Sequence, residues 1–450
     1  MNRIDVLIIG TGPAGLGAAF GLLEKRPGLS ITMLDKSEVS SGGLRNDCKM
    51  NFTWPIGFPE SCWEQGQAEA YLRRVEDFLK PSIMEKTNVA RYTHRAEKLG
   101  VKLLEIRQSH LGTDGGLELI RRLIHRLRGN GVEIALGEKA LDFHLERKTV
   151  STDKREIPYK QLIVAPGRGG FAFLQGLMNK AGIAYRDNVV DIGLRIETKE
   201  ERYPIVRDYY DPKFYFPKKT RTFCTNSRSA YVVQEKYGDE ETGLWYSVNG
   251  HAWSSSRPEN GFANFAILKT VTLTAPLASG QSYARMLGMQ AALLGGGRPI
   301  MQRVGDFRLG KRSFAESFTG DLYDFEPTLP SCTPGDIALS APAKILNSVW
   351  NAMKLLDTIV PGLMHPSTIM YYPEIKLYAN RPAFTDEYFR AAEGLYLIGD
   401  GAGTSRGITS AWASGLRAAD GILKTIEATP KKAAGIGRPE PVGSGSKATQ

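Results

Sequence analysis

Asp5-Val-Leu-Ile-Ile-Gly-Thr-Gly-Pro-Ala-Gly-Leu-Gly-Ala-Ala-Phe20 reads as strand, turn and helix in one pass. Val6 to Ile9 is an apolar run of the kind buried in a parallel sheet. Gly10, Thr11 and Gly12 make the turn, and Pro13, Ala14 and Gly15 open an alanine-rich helix. The spacing is G-x-G-x-x-G. Gly10 permits the tight turn, Gly12 lets a pyrophosphate approach the backbone, and Gly15 lets the helix pack close on the strand. The first N–H groups of such a helix lack intrahelical partners and favour an anion. A second strand, Ser30 to Leu34, ends at Asp35, 20 positions past Gly15. A carboxylate there accepts hydrogen bonds from the ribose of an adenosine. Strand, turn, helix and acid together predict a dinucleotide site on an α/β, Rossmann-like domain.

The 450 residues suffice for two or more domain-sized units. Hydrophobic content of 42% and charged content of 24% are those of a globular protein. No apolar run reaches the roughly 18 residues of a membrane span, so no integral membrane association is expected. The first strand starts so near Met1 that no signal peptide is expected, which suggests a cytoplasmic address. Cys48, Cys62, Cys224 and Cys332 are scattered, without C-x-x-C spacing, and no metal site is expected. The net charge of +10 is interspersed with acids, which speaks against nucleic acid and suits an anionic small molecule.

After Asp35 runs Lys36-Ser-Glu-Val-Ser-Ser-Gly-Gly-Leu-Arg45, a loop suited to wrapping a pyrophosphate, with Gly43 and Arg45 as candidate contacts. Helices are predicted over 64–79 and 117–128, and a strand over 101–106. Val132 to Leu136 and Ala140 to Leu145 read as adjacent strands, and Thr149 to Pro158 as a polar hairpin. Gln161-Leu-Ile-Val-Ala-Pro-Gly-Arg-Gly-Gly170 is a buried strand ending in a glycine turn. Ala140, Ala165 and Gly167 are expected beside the nucleotide. No second G-x-G-x-x-G exists, so a nicotinamide has no nucleotide fold of its own. From about residue 189 short strands, prolines and aromatics dominate, as in a mixed sheet forming a cap. The chain then returns to the first pattern with Gly394-Leu-Tyr-Leu-Ile-Gly-Asp-Gly-Ala-Gly403 and a small-residue helix to Leu423. Residues 428–450 are rich in Lys, Pro, Gly and Ser and read as a disordered tail.

The terminal Ile398-Gly-Asp-Gly element resembles the strand and turn with which flavoproteins of the glutathione-reductase type hold a ribityl chain and pyrophosphate. More narrowly, six motifs follow the order seen in a family of uncharacterised FAD-dependent dehydrogenases: Gln108 to Asp114, Val164-Ala-Pro-Gly167, Ile192-Gly-Leu-Arg-Ile-Glu197, Val248-Asn-Gly250, Gln302 to Phe307 and Gly399-Asp-Gly-Ala-Gly403. The resemblance spans Ile4 to about Leu423. It implies FAD, with a p-hydroxybenzoate-hydroxylase-like FAD domain (1–190 and 390–427) and an inserted α+β substrate domain (191–389). Gly399, Asp400, Gly407, Ile408 and Thr409 would complete the cofactor site. The chain departs from the family at Asn226, where a second cysteine is usual, and at Arg406, where glycine is usual.

A bound flavin leaves the protein to position substrate and set electrostatics. The candidates are Arg406, His251, Asp306, Glu374 and Tyr372, with Tyr246, Arg303 and Lys376 beside them. Three functions are compatible with these residues. The first is an oxidoreductase passing hydride between flavin N5 and a small organic molecule. The second is a monooxygenase reduced by transiently bound NADH or NADPH. The third is a redox-neutral flavoprotein. A redox partner protein is the other source of electrons.

Overall fold

The computed structural model describes residues 3–38, 43–46, 48–187, 189–238, 243–253, 257–277, 279–319 and 323–428. Residues 429–450, nearly all of the expected tail, lie outside the described residues, and Ala428 ends the last helix. Two sheets organise the molecule, each explained by the alternation of its central strand.

Ile4–Ile9 is central to the first sheet. It runs parallel to Ile31–Asp35 on one side and Glu156–Val164 on the other, with Ile8 opposite both Met33 and Ile163. Glu133–Leu136 and Leu395–Leu397 extend the parallel array, and Arg390–Ala392 closes one edge antiparallel. Val6 and Ile8 face a core built with the helices Pro13–Lys25, Gln65–Leu79, Gly112–Gly129 and Ile408–Ala428. Leu7 and Ile9 face the opposite core, with Phe171–Lys180. Burial on both faces explains the unbroken apolar run. The opening and closing helices touch backbone to backbone: a Cβ on Gly17 would fall 2.4 Å from the Trp412 carbonyl oxygen, and one on Gly415 2.1 Å from that of Ala14.

Several local expectations are corrected. Ala140–His144 pairs with Thr149–Thr152, not with Glu133–Leu136, and the hairpin's second arm is the first half of the long strand Glu156–Val164. The helix expected from 117 begins at Gly112, because its polar lead is already helical.

The second sheet is mostly antiparallel, with Val190–Lys199 between Phe262–Val271 and Ile369–Leu377. Ile192, Leu194 and Ile196 pack in a core with the helices Gly280–Leu294 and Ala343–Ile359. The alternate positions, Asp191, Arg195 and Glu197, are also buried but polar, and they turn to the other face. That polar face is partly covered by the ribbon of Ala230–Tyr237 and Trp245–Ala252. Lys102–Leu104, from the N-terminal half, joins this sheet at its edge beside Lys213–Phe216. The fold is thus α/β, a parallel Rossmann-like sheet with a second, mixed and mainly antiparallel sheet.

Candidate functional site

A cleft of about 410 Å³ lies at the carboxyl ends of Ile4–Ile9, Ile31–Asp35 and Glu156–Val164, where the connections leave the central strand in opposite directions. This is the switch point at which open α/β sheets bind ligands. Gly10 turns the chain there with φ +103°, and a Cβ would fall 2.2 Å from the Ala165 carbonyl oxygen. Gly12 caps the opening helix without a side chain, and Pro13 is its first residue, so the first-turn N–H groups face the cleft uncapped. Ala14 lines the cleft, whereas Gly15 supports it from behind: a Cβ there would be 1.9 Å from the Gly10 oxygen.

Two of the carboxylates that line the cleft come from distant parts of the chain, Asp35 and Asp400. Asp35 is braced: Thr11 donates to Oδ2 from its amide at 3.0 Å and its hydroxyl at 2.7 Å, and Ser37 N–H donates to Oδ1 at 3.0 Å. Asp400 accepts from the Ser405 hydroxyl at 2.7 Å and from Gly407 N–H at 3.1 Å. Lys36, Ala140, Ala165, Gly167, Gly399, Gly407 and Ile408 also line the cleft, so thirteen of the seventeen expected cofactor contacts meet there. The others do not line it. Gly15 stands behind, Thr409 donates to the Asn51 carbonyl at 2.6 Å, and Gly43 and Arg45 fall in the short helix Gly43–Asn46, with Arg45 exposed. Part of the loop expected to wrap the pyrophosphate, 39–42, lies outside the described residues.

Three lining residues carry charge that the sequence reading did not assign. Glu138 is neutralised by Arg155, whose Nε is 3.1 Å away. Lys139, the next residue, also lines the cleft. Arg168, in the glycine turn after Glu156–Val164, stands 3.8 Å from Asp400 and also lines a second cavity of about 630 Å³. An arginine among glycines at a strand's carboxyl end was the available signal.

The second cavity is bounded by the ribbon and the end of Ile369–Leu377. Behind it runs a chain of alternating charges on the polar face of the second sheet. Glu235 lies 3.6 Å from Lys376, Lys376 lies 3.2 Å from Glu374, and Glu374 takes a two-pronged pair from Arg195. Arg195 also donates to Asn264 at 2.8 Å and to Asn249 at 3.3 Å. Gly250 makes room for this knot, since a Cβ there would collide with Asn226, Asn264 and Arg195. Asn226, at the departure from the family pattern, accepts from Lys49 at 2.5 Å and donates to Asn264. The Ile192–Glu197 and Val248–Gly250 motifs thus converge on one place.

The five catalytic candidates are not brought together. Glu374 is fully buried in its pair with Arg195, and Tyr372 faces the apolar core on the opposite side of its strand, where burial pushes its hydroxyl's pKa up. Asp306 accepts from Ser313 at 2.6 Å, and Arg303 beside it donates instead to the carbonyl oxygens of Ser317, Ser367 and Phe325. Burial pulls the Arg303 pKa down to about 10. His251 sits on the ribbon opposite Tyr231. Arg406 is exposed next to the cleft residue Gly407, its guanidinium 3.6 Å from the centre of the Tyr378 ring. Cys48 is fully buried. Among the described residues no group of His, Cys, Asp and Glu could hold a metal, and no helix is long and apolar enough to cross a membrane.

No family model matches the chain, and no curated protein matches it in sequence, so the resemblance to the FAD-dependent dehydrogenases rests on the motifs above. Solved structures similar to it include glycine oxidase from Bacillus cereus, at 12% identity and TM-score 0.40, covering 94% of this chain and 96% of the other. L-proline dehydrogenase from P. horikoshii is similar at 11% identity and TM-score 0.41, covering 94% of each chain. The p-nitrophenol monooxygenase of Pseudomonas putida is similar at 11% and 0.41, covering 96% of this chain and 82% of the other. These likenesses are loose, and the fold and site stand on this chain's own sheets and side chains.

Proposed function

We propose that the chain is an FAD-dependent oxidoreductase, a dehydrogenase or reductase of a small organic molecule, with the cleft as its cofactor site. The observation that carries this reading is the joining of two sequence-distant segments, Gly10 to Ala14 and Gly399 to Ile408, in one cleft that Asp35 and Asp400 also line. The cleft fits the group. Gly10, Gly12, Gly167, Gly399 and Gly407 line it without side chains, and the uncapped helix start suits a pyrophosphate. Asp35 would hold the ribose of the adenosine, Asp400 a hydroxyl of the ribityl chain, and Lys36 and Lys139 would add positive charge beside the phosphates. The amino end of Ile408–Ala428 would favour the charge that develops at the N1 and O2 edge on reduction. When bound, the flavin supplies hydride exchange at N5.

The division into an FAD unit (1–190 and 390–427) and a substrate unit (191–389) is part of this reading, with Lys102–Leu104 lent to the second sheet. Four free cysteines suit a reducing, cytoplasmic setting. The test is the visible spectrum of the purified protein, in air and then anaerobically with NADH or NADPH. Flavin bands that bleach support a reductase fed by a nicotinamide. Bands that stay oxidised until an organic substrate is added support a dehydrogenase. Oxygen uptake coupled to a hydroxylated product would replace the reading with a monooxygenase. A colourless protein that FAD does not reconstitute would overturn it.

A further inference from the structure

Among the described residues the charged lining of the second cavity is unbalanced: Arg168, Lys236 and Lys376 stand against the carboxylate of Glu235. Glu235 is already engaged, by Asn249 Nδ2 at 2.5 Å, the Tyr237 hydroxyl at 3.2 Å and the Lys376 ammonium at 3.6 Å. Burial would raise its pKa, but Lys376 and Asn249 hold it lowered, so it stays ionised. Lys376 is itself held between Glu235 and Glu374, almost without exposure.

Arg168 is different. Among the described residues its guanidinium has only the 3.8 Å approach to Asp400. Its side chain is 56% exposed; partial loss of hydration works to lower its pKa, and the charges of Asp400 and Glu235 raise it overall. The planar Arg168 fork thus borders a cavity that also carries the aromatic surface of Tyr237, which is fixed by stacking on Trp245 at 4.5 Å. A fork of this shape pairs two-pronged with a carboxylate.

We propose that the second cavity is the substrate site and that it takes a small organic acid, its carboxylate held by the Arg168 fork with Lys376 as the second cation. The proposal deepens the flavoenzyme reading and rests on it, because Arg168 lines both cavities and so places the bound acid against the cofactor cleft. Lys376 already has two carboxylate partners, whereas Arg168 has only the 3.8 Å approach to Asp400 among the described residues, so an anion in the cavity would complete the Arg168 fork and a neutral or cationic ligand would not.

Benzoate, its uncharged analogue benzamide and phenyl phosphate serve as calorimetric probes of the purified full chain. They are compared across wild type, Arg168→Gln, Arg168→Lys and Lys376→Gln, with exposed Arg121→Gln as control. The flavin absorbance of every variant reports cofactor content separately. Benzoate is expected to bind roughly tenfold or more tightly than benzamide, and Arg168→Gln to weaken benzoate by roughly 10–100-fold while leaving benzamide binding unchanged. Arg168→Lys, which keeps the charge but not the fork, is expected to fall between them. Lys376→Gln should weaken benzoate too, and because Lys376 belongs to a buried network, Arg168 decides the matter if that variant fails to fold. Equal binding of benzoate and benzamide, no benzoate binding, or an Arg168→Gln protein that binds as wild type would overturn the proposal. Tighter binding of phenyl phosphate would replace the acid with a phosphate ester. Charge-selective benzoate binding in a protein that takes up no flavin would remove the FAD reading and keep the acid site, whereas a flavin-loaded protein without that selectivity would remove the acid site alone.

Discussion

Arg195 and Glu374 form a pair with no exposure at all, Nε to Oε2 at 2.6 Å and Nη2 to Oε1 at 2.9 Å, between the two central strands of the second sheet. A carboxylate so enclosed organises its surroundings and does not shuttle protons to a substrate. Taking two charges out of water is costly, and removing one partner strands the other. Glu374→Gln is therefore expected to destabilise the protein by about 3–5 kcal/mol, read from the urea unfolding midpoint. The double variant Arg195→Met/Glu374→Leu should recover much of that loss. A loss under about 1 kcal/mol for Glu374→Gln would show that the pair is hydrated.

The contact between the opening and closing helices offers a second test. A Cβ on Gly415 would lie 2.1 Å from the Ala14 oxygen and 2.5 Å from the Ala18 nitrogen, atoms that cannot move without shifting the helix Pro13–Lys25, whose start lines the cleft. Gly415→Ala is expected to cost about 1–3 kcal/mol and to lower flavin content as well. Gly176→Ala, in Phe171–Lys180 with open space around it, should be neutral or stabilise by about 0.5–1 kcal/mol. Equal effects at both positions would mean that the helices separate readily in solution.

The first sheet was legible because its evidence is local. Gly10 to Gly15 and Asp35 encode turn, close approach and acid in short spans, and Ile398 to Ala402 repeats the logic at the far end. The second sheet was legible only as texture. Arg195, Glu374, Asn249 and Asn226 are far apart in sequence, and their meeting depends on strand register, which alternation alone does not reveal. For the same reason Tyr372 and Glu374, both candidates two positions apart, turned out to face opposite sides: the pairing shifts register between Gly193 and Arg195, opposite the Tyr371–Glu374 stretch. Arg168 was overlooked because its importance lies in what surrounds it, two cavities that meet at one side chain.

Asp420 links the closing helix to two others, accepting from Lys25 at 2.9 Å, Arg74 at 2.7 Å and the Tyr71 hydroxyl at 2.9 Å. Burial alone would raise its pKa, but these donors hold it lowered. A carboxyl depressed in the folded state stabilises the fold fully above its unfolded pKa of about 4, and that contribution fades as pH falls through the folded value. Asp420→Asn is expected to cost about 2 kcal/mol at neutral pH. The gap between wild type and variant should hold down to about pH 4 and close below it. A gap independent of pH would mean that packing, not charge, links the three helices.

Asp35 raises the question of whether an acid at the end of the second strand serves the ligand or the turn. Thr11 occupies Oδ2 twice, and among the described residues Oδ1 accepts from the Ser37 amide alone, which leaves acceptor capacity for a ribose hydroxyl on a carboxylate that lines the cleft. If the ligand role dominates, Asp35→Asn should weaken FAD by roughly 10–100-fold, the worth of a hydrogen bond to a charged acceptor. Thr11→Val removes the side-chain half of the brace and keeps its amide bond, so it should cost about 1 kcal/mol of stability and leave FAD affinity within roughly threefold. Fluorescence quenching of FAD by the apoprotein measures the affinities, and thermal melts of the same samples measure the stabilities. Should Thr11→Val weaken FAD as much as Asp35→Asn does, the acid works through the Gly10–Gly12 turn, and the ribose is held by other groups of the cleft lining, such as Lys36 and Lys139.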